Sequence, residues 1–113
     1  MEIKRGQIWY VDLGKTIGSV QGGRRPCLVI GNDIGNAKSP TILVAPITSK
    51  HTKAKIPTHI WLSVTSGLAV NSMVMLEQTT TIDKQQLEKY IGTIQQSEQK
   101  LVDKGILINF FGV

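Results

Sequence analysis

The sequence predicts a mainly β domain, an SH3-like small barrel of five to seven short strands with one C-terminal helix. Short runs rich in β-branched and aromatic residues recur as far as Ile94, separated by clusters of glycine, asparagine, aspartate and proline. Beyond Ile94 the apolar residues recur four positions apart, which is a helical spacing. The 113 residues are enough for one domain, so we expect a single domain over residues 1–113.

The first three strands are predicted in the N-terminal half. Alternating apolar positions give a strand from Gln7 to Leu13. A second strand runs from Pro26 to about Gly31, because proline is tolerated at the first residue of a strand, and it ends in turn residues at 32–36. A third strand is predicted from Thr41 to Thr48, and Pro46 indicates that this strand lies at an edge or contains a bulge or a bend.

Shorter elements follow in the second half of the chain. A lysine-bearing loop is predicted at 49–55, a fourth strand at Thr58–Leu62 and a fifth at Asn71–Gln78. Asp83 to Gln86 predict one helical turn, and a sixth strand is predicted at Tyr90–Ile94.

The C-terminal segment predicts one helix that packs on the sheet. Ser97 is a suitable N-cap, and Glu98 places a negative charge in the first turn, where the helix dipole favours it. The face expected to pack on the sheet consists of Val102, Ile106 and Phe110. Gly105 costs about 1 kcal/mol relative to alanine within a helix, which indicates close packing or an early helix end at this position.

The composition excludes several classes of protein. Cys27 is the single cysteine, so no intramolecular disulfide and no zinc pattern is expected, and the thiol is predicted to be a small buried apolar group. The N-terminal apolar run is too short for a signal peptide or a membrane span, so the cytoplasm is the expected location. No phosphate-binding P-loop or dinucleotide fingerprint occurs, so nucleotide hydrolysis is not expected.

Charge is distributed unevenly along the chain. Seven of the basic side chains and one acid lie between residues 14 and 57, so the net charge of this segment is +6. The net charge of the whole chain is +5, so the remaining residues together carry −1. A positive field of this kind suits a polyanion, although lysines kept for solubility produce a weaker version of the same pattern. We favour a nucleic acid as the partner.

The segment Gly18-Ser19-Val20-Gln21-Gly22-Gly23-Arg24-Arg25-Pro26 places a guanidinium where a glycine-rich loop becomes a strand. Glycines let the backbone approach an anion, and an arginine at a strand start can be aimed at a phosphate. A solvated hairpin with two surface arginines is the alternative interpretation. Arg24 and Arg25 should point to opposite faces, so at most one reaches a given phosphate, and Arg25 is the better candidate. Thr48 ends the third strand and can add a hydroxyl donor.

Two histidines could in principle form an acid–base pair for RNA cleavage. His59 is predicted on a strand in alternation with Trp61, and His51 in the lysine-rich loop. A packing or surface role is expected for each.

A series of blocks then resembles one known family. The blocks, in chain order, are Arg5-Gly6-Gln7-Ile8-Trp9, Gly18 to Pro26, Leu28-Val29-Ile30, Asn32-Asp33, Ala45-Pro46-Ile47-Thr48, Leu76-Glu77-Gln78 and Thr81-Ile82-Asp83-Lys84. In this order they resemble the MazF/PemK family, the toxins of toxin-antitoxin pairs. The resemblance extends from about residue 4 through Ile94, and the terminal helix is compatible with it.

The resemblance implies a barrel homodimer that cleaves single-stranded RNA, mainly messenger RNA, at short sequences. It implies that the cut needs no metal or other cofactor and leaves a 2′,3′-cyclic phosphate and a 5′-hydroxyl. It also implies a cognate antitoxin whose acidic and apolar C-terminal segment covers the site. Arg25 matches the catalytic arginine and Thr48 the catalytic threonine. The general base of the family has no match, so this role stays unassigned.

The resemblance also implies an RNA-binding set. Ser19 and Gln21 fall in the loop that covers the RNA, whereas Asn32 and Gln78 are expected on strands that border the groove. Arg24 is also placed in this set, because we expect it to contribute to RNA binding while Arg25 acts in cleavage. Two alternatives remain: a non-catalytic nucleic-acid-binding barrel, and a toxin of the gyrase-poisoning type that acts through protein contact.

Overall fold

The computed structural model describes residues 2–50 and 56–112, which form an antiparallel sheet with helices at two places along the chain. The strands of this part are β1 (Gln7–Asp12), β2 (Arg24–Val29), β3 (Thr41–Thr48), β4 (His59–Leu62), β5 (Ser72–Met75), β6 (Thr80–Asp83) and β7 (Leu87–Thr93). The helices are α1 (Asp33–Lys38) and α2 (Gln96–Phe111), with 3₁₀ turns at Val64–Ser66, Leu76–Gln78 and Lys84–Gln86. The predicted mainly β class with a C-terminal helix is confirmed. Neither α1 nor α2 is both long and apolar enough to cross a membrane.

The sheet follows the order β4-β5-β3-β2-β1-β7, and β6 pairs with β3 outside this path. Strand β3 pairs with β2 on one side and changes partner on the other: residues 41–44 pair with β6, and Ile47 and Thr48 pair with β5. Pro46 lies between these two segments, where its missing N–H removes no ladder hydrogen bond on that side. Of the three predicted possibilities, the edge is therefore wrong, because β3 lies inside the sheet.

Apolar side chains are buried on both faces of the sheet, which explains the continuous apolar run at the second strand. Ile8, Leu28 and Val102 belong to one buried cluster, which includes the inner face of α2. Cys27 and Val29 belong to a second cluster on the opposite face, because successive strand residues alternate in direction. Burial raises the pKa of the Cys27 thiol to about 12, against the opposing effect of the Arg25 charge.

Helix α2 begins earlier than predicted. Gln95, not Ser97, is its N-cap, and Glu98 accepts the backbone N–H of Gln95 in a capping box. Val102 is fully buried and Ile106 packs against the core, but Phe110 is 57% exposed, so its predicted place on the packed face is wrong. Each four-residue step advances about 400° around a helix, so two steps rotate the side chain about 80° away from the sheet. A Cβ at Gly105 would approach Leu76 Cδ1 to 2.5 Å, which confirms the predicted close packing there.

The other differences concern polar segments. The turn predicted at 32–36 is the N-cap and first part of α1, since the Asn32 side chain accepts the Gly35 N–H at 2.8 Å. The fifth predicted strand ends at Met75 and continues as a 3₁₀ turn, and strand β6, which follows that turn closely, was not predicted. The last strand begins three residues earlier than predicted, at Leu87. The helical turn at Lys84–Gln86 is confirmed, with Asp83 as its cap.

A contact between two glycines positions the segment that connects β4 to β5. Gly67 has φ +95°, and a Cβ there would lie 2.6 Å from the Ile91 carbonyl oxygen, while a Cβ at Gly92 would overlap the Ser66 carbonyl. The backbones of β7 and the 3₁₀ turn therefore meet directly, with no side chain between them. This contact places Leu68 beside the sheet, at the wall of the cavity described next.

Candidate functional site

Arg25 and Thr48 line the same cavity, which has a volume of about 310 Å³. Cys27 lies opposite Pro46 in the β2–β3 pair, and continuing this register by two residues brings Arg25 opposite Thr48. Directly opposed residues of two antiparallel strands share a face and are near neighbours. The strand pairing therefore places these two side chains together. The remaining lining residues are Pro26, Ile47, Ser49, Lys50, Leu68, Ala69, Val70 and Ser72.

One edge of the Arg25 guanidinium is tethered to the loop that precedes it. Its Nε donates to the Gly22 carbonyl oxygen at 3.0 Å. Its two terminal nitrogens, Nη1 and Nη2, make no hydrogen bond and no ion pair with the residues that the structure describes. A guanidinium carries five N–H donors. Arg25 therefore keeps four donors for an anion while its side chain is oriented by the fifth.

The loop at 14–23 is closed by backbone hydrogen bonds. Gly23 N donates to the Gly14 carbonyl at 2.7 Å, and Leu13 N donates to the Gly23 carbonyl at 2.9 Å. Gly14 and Gly23 both have positive φ, at +73° and +70°, which glycine adopts without strain. Of the predicted RNA-binding residues, Ser19 and Gln21 lie in this loop. Gln78 lies outside this loop in the sequence and forms hydrogen bonds to its backbone at Ser19 and Gln21.

Thr48 has its hydroxyl oriented by the backbone that follows β3. The Thr48 Oγ1 accepts the Lys50 N–H at 3.2 Å, so the hydroxyl proton remains available to a second partner. Ser49 and Lys50 line the same cavity. The cavity thus combines a guanidinium, an ammonium group and a hydroxyl donor, a set that suits a phosphate.

Arg24 points away from this cavity, as the alternation of strand residues predicts. Its Nε donates to the Glu88 carboxylate at 3.0 Å, and its terminal nitrogen lies 3.6 Å from Asp12 Oδ2. The hydrogen bond and charge of Glu88 raise the pKa of Arg24 above its ordinary value. The structure does not bring Arg24 to the cavity that Arg25 lines.

The predicted places of Asn32 and Gln78 on strands are wrong. Asn32 caps α1, and its side chain accepts the Gly35 N–H. It follows the C-terminal end of β2, whereas Arg25 lies near the N-terminal end of that strand. Gln78 ends the 3₁₀ turn at 76–78, because the chain turns sharply between β5 and β6. Only Gln78 of these two contacts the loop that leads to Arg25.

His59 is not among the residues that line the cavity. His59 Nε2 lies 2.6 Å from Glu77 Oε2, and Glu77 Oε1 also accepts the Thr58 hydroxyl at 3.0 Å. Its Nδ1 is buried and has no hydrogen-bond partner in the described residues. His51 lies outside the described residues. Within residues 2–50 and 56–112, no group of three or more histidine, cysteine or acidic side chains could hold a metal ion.

The sequence did not indicate the second wall of the cavity. Leu68, Ala69 and Val70 come from the connection between β4 and β5, and Pro26, Leu68 and Ala69 continue into a neighbouring cavity of about 500 Å³. That second cavity also contains Tyr10 and Lys89. The Gly67–Gly92 contact creates this wall, and the one signal for it in the sequence is the glycine at each of those two positions.

A family model describes PemK-like, MazF-like toxins of type II toxin-antitoxin systems and matches residues 4–110. This chain belongs to that family. The toxin is 44% identical over 110 residues to Endoribonuclease EndoA of Bacillus subtilis (strain 168), a match that covers 96% of this chain and 95% of that protein.

Solved structures share the fold of the toxin. MazF from Deinococcus radiodurans superposes with a TM-score of 0.81 at 19% identity and covers 100% of this chain and 99% of that chain. An endoribonuclease in complex with its cognate antitoxin, from a mycobacterial species, superposes with a TM-score of 0.79 at 20% identity, over 95% of this chain and 93% of that one. At these identities the likeness concerns the fold of the toxin.

Proposed function

We propose that this toxin is an endoribonuclease that cleaves single-stranded RNA, messenger RNA above all, at the cavity lined by Arg25 and Thr48. The observation that carries the proposal is that β2 and β3 present these two side chains to one cavity, with four N–H donors of Arg25 available. The 44% identity to a protein named as an endoribonuclease supports it. Messenger RNA as substrate also makes the cytoplasm the proposed location.

The proposed reaction is an internal displacement at phosphorus. The ribose 2′-hydroxyl releases its proton to solvent, its oxygen forms a new bond to the neighbouring phosphorus, and the bond from phosphorus to the 5′-oxygen breaks. The products are a 2′,3′-cyclic phosphate and a 5′-hydroxyl, and the departing 5′-oxygen takes up a proton. Negative charge grows on the non-bridging oxygens, where fixed donors lower the barrier. Arg25 supplies such donors, and the Thr48 hydroxyl supplies one more.

In this proposal the reaction needs no metal, because Arg25 neutralises the developing charge. Because the pKa of arginine lies above about 12, the side chain stays protonated near neutral pH and is a poor base there. The neutral hydroxyl of Thr48 is a far weaker base than an imidazole or a carboxylate, and it already accepts the Lys50 N–H. Neither residue therefore accepts the 2′-hydroxyl proton efficiently, and we expect slow turnover that depends mainly on geometry.

The cavity also suits the proposed antitoxin segment. Arg25 and Lys50 give the cavity positive charge, and Ile47, Leu68 and Val70 give it apolar surface. A peptide with both acidic and apolar residues would complement these two properties and would exclude RNA. We propose that the toxin forms a homodimer and that its antitoxin binds over this cavity.

The deciding experiment incubates purified toxin with a long single-stranded RNA in EDTA. We expect discrete fragments with 2′,3′-cyclic phosphate and 5′-hydroxyl ends, and no fragments from an Arg25→Ala, Thr48→Val double variant. Intact RNA that shifts in a gel would instead support the non-catalytic nucleic-acid-binding barrel. Intact RNA together with inhibition of gyrase would support the protein-targeting toxin.

A further inference from the structure

The side-chain amide of Gln78 makes two hydrogen bonds to the glycine-rich loop. Its Nε2 donates to the Ser19 carbonyl at 3.1 Å, and its Oε1 accepts the Gln21 N–H at 2.7 Å. Both ends of the amide are therefore used, and both contact main-chain atoms. A main-chain contact holds the path of the loop, independently of the side chains that the loop carries.

The residue after Gln21 is the one that holds Arg25. The Gly22 carbonyl accepts Arg25 Nε–H at 3.0 Å, and the other end of the same peptide unit, Gly23 N–H, donates to Gly14 at 2.7 Å. Gly14 fixes the peptide unit after Gly22, and Gln78 fixes the one before Gln21. The Gly22 carbonyl belongs to the first of these units, two peptide units beyond the one that Gln78 fixes. A change at either anchor should move the acceptor of the Arg25 guanidinium.

Gln78 itself belongs to a turn with several anchors. Leu76 is fully buried, and its carbonyl accepts the Asn109 side-chain amide at 3.2 Å. The Glu77 carboxylate accepts the Thr58 hydroxyl at 3.0 Å and lies 2.6 Å from His59 Nε2. Helix α2 and strand β4 therefore fix the two residues before Gln78. The amide projects from a rigid base, which a positioning group requires.

We propose that Gln78 is a positioning residue that aims the Arg25 guanidinium through the Gly22 carbonyl. The inference rests on the proposed RNA cleavage at Arg25, and it gives Gln78 a role other than direct contact with a base. A displacement of about 1 Å in a catalytic group costs up to about 100-fold in rate. Loss of the amide should therefore lower the rate constant for cleavage and have little effect on RNA affinity.

The test compares Gln78→Ala, Gln78→Glu and the control Gln85→Ala, whose side chain is exposed in the next 3₁₀ turn. Gln78→Glu has the same shape and keeps the acceptor for Gln21 N–H but loses the donor to Ser19. Single-turnover cleavage gives the rate, and binding of the same RNA with a 2′-deoxy sugar at the cleavage position gives the affinity. We expect a 10- to 100-fold lower rate for Gln78→Ala, a smaller loss for Gln78→Glu, and affinity within about 3-fold for both.

A second readout requires no RNA cleavage. The Arg25 Nε–H is protected by Gly22, so its exchange with solvent, followed by NMR on the free toxin, reports the tether directly. We expect exchange at least about 10-fold faster in Gln78→Ala, intermediate in Gln78→Glu and unchanged in Gln85→Ala. Unchanged exchange in Gln78→Ala, or a loss confined to RNA affinity, would overturn the inference. If the wild-type toxin cleaves no RNA but the variants show the expected exchange rates, the proposed function is wrong and the positioning of Arg25 by Gln78 is still supported.

Discussion

Arg24 donates from its Nε to the Glu88 carboxylate at 3.0 Å, whereas the next residue, Arg25, makes no ion pair within the part of the chain that the structure describes. Arg24 is a matched control for Arg25, because the two arginines share a strand and a charge but face opposite sides of the sheet. We expect Arg25→Lys to lower the cleavage rate about 100-fold or more, since lysine keeps the charge but loses the fork of donors. Arg24→Lys should stay within about 3-fold of the wild type. Equal losses in single-turnover assays would contradict the assignment.

Thr48 offers a test of the hydroxyl alone. Thr48→Val keeps the size and branching of the side chain but removes the donor, so we expect a rate about 10- to 100-fold lower. Thr48→Ser keeps the hydroxyl and should retain most of the activity. Cleavage of a labelled RNA under single-turnover conditions measures both. A Thr48→Val variant as fast as Thr48→Ser would exclude a catalytic role for the hydroxyl.

Gly92, which lies within strand β7, is expected to tolerate substitution poorly. A Cβ there would overlap the Ser66 carbonyl, and a backbone atom cannot rotate away. We expect Gly92→Ala to destabilise the fold by about 1–3 kcal/mol, the usual range for overpacking, measured by urea unfolding. Gly35→Ala is the control, because its Cβ would meet Asn32 atoms at an ordinary 3.5 Å and alanine favours a helix. If both variants unfold at the same urea concentration, the contact between the two backbones has no energetic importance.

Glu98 should make stability depend on acid pH. The residue is 8% exposed, and its carboxylate accepts hydrogen bonds from Ser63 N, Ser66 Oγ and Gln95 N. Desolvation opposes ionisation, but these bonds outweigh it and lower the pKa below its ordinary value. In the unfolded chain the pKa of this carboxyl is about 4.3. The stabilisation by Glu98 is therefore complete above that pH, and it is lost as pH falls through the lower pKa of the folded state.

The measurement compares the wild type with Glu98→Gln over a series of pH values. Near neutral pH the variant should be less stable by about 1–3 kcal/mol, the range for hydrogen bonds to a charged group. The difference should shrink as pH falls below about 4. A gap that stays constant from neutral pH to about pH 3 would show that the charge of Glu98 contributes nothing.

Cys27 should be inert in the native toxin. The thiol is fully buried and its pKa is raised to about 12, so almost none of the reactive thiolate is present near pH 8. An aromatic disulfide reagent should react with Cys27 only after denaturant is added. Rapid reaction of the folded toxin would show that the second core cluster opens readily.

The placement of Arg25 and Thr48 in one cavity was largely predictable, because both residues lie within clear local patterns. Thr41–Thr48 was predicted with its observed bounds, since a β-branched run is bounded by turn residues on both sides. Alternation along β2 separated Arg24 from Arg25 correctly. The turn residues at 32–36 were misassigned because asparagine and aspartate favour both turns and helix caps, and the local sequence does not distinguish them.

The mainly β class, the family resemblance and the candidate residues Arg25 and Thr48 all came from the sequence, because each depends on residue type and short-range spacing. Only the tertiary structure decided that Gln78 holds the loop at Ser19 and Gln21, that Gly67 meets Gly92, and that Phe110 faces solvent. These relationships join residues far apart in the chain or, for Phe110, depend on about 80° of rotation around a helix. They follow from how the sheet curves and how α2 packs on it, which no local pattern encodes.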